Sequence, residues 1–69
     1  MLTVINYRGE LFYVIGASFN STDTKYLVGL SVNTGNFATL NQTYCDFQYF
    51  VDDKGNKLDL NFKRIKDKQ

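Results

Sequence analysis

An all-β fold, either a small antiparallel barrel or a strongly curled meander of five to six strands, is what this 69-residue sequence predicts. Three observations carry that expectation. Apolar residues recur with period 2 rather than 3.6 through most of the chain. Clusters of turn-forming residues at 8–10, 33–36 and 52–56 divide the alternating runs. No stretch of about 12 residues has helical spacing, and parallel pairing would need crossovers longer than these connections.

A first strand is expected over residues 2–7, then a tight connection at 8–10 and a second strand over 11–17. In the second, Leu11, Tyr13, Ile15 and Ala17 share one face while Phe12 and Val14 lie on the other. The polar residues 18–24 predict a loop with Phe19 as its lone aromatic. The clearest alternation follows over residues 25–33, where Tyr26, Val28, Leu30 and Val32 form the expected inward row. Asn33, Thr34, Gly35 and Asn36 then supply turn chemistry, because Gly and Asn tolerate positive φ. An extended reading resumes over residues 37–44, which completes a β-hairpin.

A second hairpin is expected near the C-terminus. Phe47, Tyr49 and Val51 alternate into the turn at 52–56, and Leu58, Leu60 and Phe62 follow at strict period 2. Residues 43–50 carry two readings. Tyr44, Phe47 and Phe50 fit a helical stripe, which allows at most one short helical turn near 43–50, whereas the density of aromatics favours strand. The expected domain covers residues 1–65, with a frayed, charged C-terminus at 66–69.

Apolar residues opposite the main faces shape the architecture. Phe12, Val14, Leu27, Phe50 and Ile65 would be wet on a flat sheet, so the sheet is expected to curl on itself or to be covered by another chain. A small barrel meets the burial and edge requirements together. In size and strand count the chain resembles an SH3-like barrel. The resemblance is one of architecture, and no sequence motif accompanies it.

Composition excludes most catalytic chemistry. There is no His and one Cys, so no Ser-His, Cys-His or His-ligated metal constellation can form within the chain. Asp52 and Asp53 are adjacent carboxylates at a turn, where side chains point apart into solvent. The run 52–56 has Lys54 where a calcium loop needs an oxygen ligand, and no bidentate Glu follows. Cys45 has no His to activate it and is expected to be inert beside Tyr44 and Phe47. The five glycines form no phosphate-cradling loop. The expectation is a protein that is not an enzyme and takes no cofactor or metal. One cysteine and the absence of a signal-like or membrane-spanning apolar run point to a soluble, cytoplasmic protein with no membrane role.

Binding is what remains. Tyr7, Phe12, Phe19 and Phe50 lie off the main faces or in a loop and are the candidate protein-binding aromatics. An adaptor, inhibitor or regulator fits, of the kind a bacterium or phage encodes as a small accessory protein. Nucleic acid is the alternative partner. Residues 54–69 carry six basic side chains against Asp59 and Asp67, a net +4, whereas residues 1–53 carry a net −3. Lys63, Arg64, Lys66 and Lys68 are the candidate phosphate contacts. A homo-oligomeric building block, with the off-face apolar residues buried between copies, is the third reading.

Overall fold

The computed structural model describes residues 1–19 and 25–65, the side chains of Ser18 and Phe19 excepted. Six strands form one antiparallel sheet: β1 (Leu2–Tyr7), β2 (Glu10–Phe19), β3 (Lys25–Ser31), β4 (Phe37–Asn41), β5 (Cys45–Val51) and β6 (Lys57–Leu58). A single turn of 3-10 helix, Gln42–Tyr44, links β4 to β5. The spatial order is β4-β3-β2-β1-β5-β6. The first four strands form a meander, and β5 returns to the far side of β1.

That return forces the sheet to curl. In a flat sheet β4 and β5 would stand four strand spacings apart, about 19 Å. The link from Asn41 to Cys45 can reach at most about 14 Å even when fully extended. A buried cluster fills the resulting concavity: Ile5, Phe12 and Leu40, with Tyr7, Val14, Leu27, Ala38 and Cys45 packed against it. It joins β4 directly to β1 and β5. The order is nonetheless linear, so the expected barrel closure is not made: among the described residues β4 and β6 remain the two edges.

The faces are the reverse of those expected from alternation. Tyr26, Val28, Leu30 and Val32 lie on the convex side and are only half-buried, and Ile15 is exposed. Phe12, Val14 and Leu27 turn inward instead. The reason is steric. The inside of a tight curl has little room, and β3 presents Leu27, Gly29 and Ser31 to it. A Cβ on Gly29 would stand 2.8 Å from Leu40 Cδ1 and 3.1 Å from Phe12 Cβ. On β3 the small Gly29 and Ser31 therefore face the crowded concave side, and the row of Tyr26, Val28, Leu30 and Val32 is left outside.

Two bulges provide curvature. In β2 the register shifts between Val14 and Gly16, leaving Ile15 as the extra residue. In β5, Phe47 and Tyr49 pair with the consecutive residues Ile5 and Val4, leaving Gln48 extra. This second bulge explains the helix-like spacing at residues 44–50. It carries Phe47 and Phe50 onto one face, with ring centroids 4.9 Å apart, inside a strand. The helical turn is real but ends at Tyr44, before those two rings.

The turns follow local chemistry. Arg8 and Gly9 both have positive φ, 55° and 85°, as a two-residue hairpin requires, and Asn6 Oδ1 accepts the Gly9 N–H. Asp52 Oδ1 accepts the N–H groups of Lys54 and Asn56 at 2.9 and 2.8 Å, closing the β5–β6 turn. The strand expected through Leu58, Leu60 and Phe62 stops at Leu58. Asp59 Oδ1 accepts from the Asn61 and Lys63 N–H groups, so the chain turns back and Arg64 bridges to Leu58. Leu60 and Phe62 are consequently exposed.

Candidate functional site

The sheet presents one continuous apolar row on its convex face. Directly paired residues across an antiparallel ladder point to the same side. The registers Tyr49–Val4, Val4–Tyr13, Tyr13–Leu30 and Leu30–Phe37 therefore align five side chains from five strands. Val4 is fully buried beneath its two tyrosine neighbours. The row ends at Phe37, which is 72% exposed on edge strand β4.

Backbone polarity at that edge follows from one bond. The Ser31 N–H donates to Asn36 O at 2.9 Å. Antiparallel pairs alternate between bonded and non-bonded, so the Leu30–Phe37 and Val28–Thr39 pairs do not bond each other. The N–H and C=O groups of Phe37 and Thr39 therefore face away from the sheet. Strand β4 contains no charge, no Pro and no bulge, the usual devices that protect an edge.

A second aromatic assembly lies at the opposite end. Phe62 stacks on Phe50, 5.1 Å between centroids and 17° between planes, and Phe50 in turn contacts Phe47. Phe62 is 59% exposed and has a φ of 62°, a strained value for a bulky residue. Lys63 and Arg64 follow it, both exposed. Nearby, Gly55, Asn56, Lys57, Arg64 and Ile65 line a polar cleft of about 170 Å³, and Lys57 Nζ sits 4.9 Å over the Tyr49 ring.

The expected site residues are thus dispersed. Phe12 is 6% exposed and belongs to the core, because the curl turns its face inward, so it offers no docking surface. Tyr7 packs edge-on against Phe12 and lies under the Arg8 guanidinium, 5.5 Å from its centroid. Phe50 is half-buried within the aromatic stack. The Phe19 side chain, Lys66 and Lys68 lie outside the described residues. Phe37 was not among the expected contacts. No sequence signal singles it out, because the whole stretch 26–45 is uncharged.

Two titratable groups among the described residues are shifted. Burial, then the neighbouring Asp46, pushes the Cys45 thiol above its usual range, and its Sγ donates to Asn41 O at 3.4 Å. The Asn56 backbone N–H, aided by its side-chain amide, the Lys54 N–H and the Arg64 charge, holds Asp52 below the usual carboxylate range against some desolvation. Among the described residues there is no group of three His, Cys, Asp or Glu that could hold a metal, and no helix long and apolar enough to cross a membrane. No protein-family model, curated protein or solved structure matches the chain.

Proposed function

We propose that this chain is a non-catalytic binding module, an adaptor, inhibitor or regulator, that captures an extended segment of another protein by strand addition to β4. The observation that carries the reading is the unprotected β4 edge, with the free backbone groups of Phe37 and Thr39 beside the exposed Phe37 ring. Main-chain bonds along such an edge give affinity, and a neighbouring apolar ring selects side chains in the partner. We read the sheet that presents this edge as an incomplete barrel of SH3-like size, supported by its strand number and the short link that forces its curl. A reducing, cytoplasmic setting accords with a lone half-buried thiol.

Display selection with random peptides tests the reading. Selected binders should shift the amide resonances of residues 37–41 and lose affinity at least tenfold against Thr39→Pro, which removes an outward N–H without touching the β3–β4 ladder. Binders indifferent to Thr39→Pro and Phe37→Lys would refute strand addition at β4.

Nucleic-acid binding stands as the second reading because Phe62, stacked on Phe50, precedes Lys63 and Arg64. Such a platform suits a single strand, with bases on the ring and phosphates on the cations. Sub-micromolar, salt-sensitive binding of an oligonucleotide that is lost in Phe62→Ala would favour it over strand addition.

A further inference from the structure

We infer that, without a partner strand, β4 pairs with β4 of a second copy of this chain, in one antiparallel register about a two-fold axis at Ala38. The inference rests on the reading of β4 as a pairing edge and names the first occupant of that edge.

Two observations select a second copy. The strand is uncharged, so two copies meet along Phe37–Asn41 without like-charge repulsion. Its free backbone groups are self-complementary. With the axis at Ala38, Phe37 lies opposite Thr39 of the other copy and Thr39 opposite its Phe37. Every outward N–H and C=O of these two residues then bonds, four bonds in all by this register. An axis at Thr39 would instead draw on Asn41 O, which already accepts from the Cys45 thiol.

Side chains favour the same register. The two Phe37 rings become diagonal neighbours on the convex face, about 7–8 Å apart at Cα and within reach of each other. The row from Tyr49 to Phe37 then runs across the junction into its symmetry mate, and the most exposed described aromatic ring gains an apolar neighbour. On the concave face the axis falls at a non-bonded pair, where strands carry their side chains closest. The residue there is Ala38, small enough to face its copy. Self-pairing of this kind covers the edge that, among the described residues, no charge, bulge or returning segment protects.

Sedimentation equilibrium with cysteine cross-linking tests the proposal. The wild-type chain should sediment at twice its 8.0 kDa mass at high protein concentration. Thr39→Pro should sediment as a folded monomer with an unchanged far-ultraviolet spectrum. In a Cys45→Ser background, Ala38→Cys should form an inter-chain disulfide under mild oxidation, because Cα atoms of a non-bonded pair lie about 4.5 Å apart. A wild-type chain that stays monomeric at millimolar concentration would overturn self-pairing, as would a dimer that survives Thr39→Pro. A dimer cross-linked through Thr39→Cys and not Ala38→Cys would overturn the register. Selected peptides that still bind β4 of a monomeric chain would show that the self-pairing fails while strand addition stands.

Discussion

The two edges of this sheet are built in opposite ways. Strand β6 is two residues long, begins with Lys57, and is backed by the returning segment whose Arg64 bridges to Leu58 and whose Ile65 N–H bonds to Lys57 O. The part of β5 that β6 leaves open carries Asp46 and the bulge at Gln48. At the other end β4 runs five residues without charge or bulge and, among the described residues, without cover, and Phe37 stands out from its start. One chain thus applies several protective devices at one edge and none at the other. Edge protection is costly to omit, since a bare edge invites unwanted pairing. Its omission at β4 is the feature on which the proposed strand addition rests.

The largest effect is expected from disrupting the curled sheet that carries both edges. Gly29→Asp places a carboxylate against Leu40 and Phe12 and should abolish cooperative folding, since an unpaired buried charge exceeds the roughly 5 kcal/mol that holds such a domain. Val28→Asp, one residue away on the convex face, should cost only about 1 kcal/mol. Urea denaturation of the two variants decides the face assignment, and a folded Gly29→Asp protein would reverse it.

Next in size is the anchoring of each edge. Leu40 (1% exposed) ties β4 into the cluster with Ile5 and Phe12, whereas Leu58 (7% exposed) tethers a two-residue strand. Leu40→Ala should cost about 4 kcal/mol and Leu58→Ala about 2. Equal shifts in the denaturation midpoint would mean that both edges depend on the core alike.

A smaller effect on stability, with a large one on binding, is expected at Phe37. Phe37→Lys removes an exposed ring and adds a protective charge, so stability should change by less than about 0.5 kcal/mol. Its aggregation on prolonged incubation should fall, followed by light scattering, while Lys57→Glu on β6 should leave aggregation unchanged. Enhanced aggregation of Phe37→Lys would show that β4 is not the sticky edge.

The weakest effect is electrostatic and confined to the β6 side. Asp52 is held below its unfolded pKa by its turn bonds, so its stabilising contribution is present above the ordinary carboxylate range. That contribution is lost as pH falls through the lowered, folded value. Amide protection factors at Lys54 and Asn56 should fall below about pH 4, near the unfolded value for Asp, while those across β4 stay flat. In Asp52→Asn the acid response should vanish.

Much of the local structure was legible in residue order, because its causes are local. The positive φ of Gly35 and of Gly55 and the Asp52 side-chain bonds each arise within a single turn, and the expected turns at 33–36 and 52–56 are there. Alternation marked β2 and β3 within a few residues of their ends. The last strand was misjudged because Leu58, Leu60 and Phe62 alternate as a strand should, while Asp59 binds two backbone N–H groups and turns the chain. The candidate edge was less legible. Any strand of an open sheet could have been the outermost, and Phe37 carries no mark of exposure in its own sequence.

Period 2 and turn chemistry alone determined that this chain is an antiparallel all-β protein, since both depend on neighbours along the chain. Tertiary structure decided which side of each strand is the inside. Alternation gives two faces and does not say which is concave, and hydrophobicity pointed to the richer row of Tyr26, Val28 and Leu30. The link at Gln42–Tyr44 is too short to cross a flat sheet, so the sheet must bend, and on β3 the face turned inward is the one with room for the packed Phe12 and Leu40 side chains. Gly29 and Ser31 provide that room, and the larger row was left facing out, ending at Phe37 on an unguarded edge.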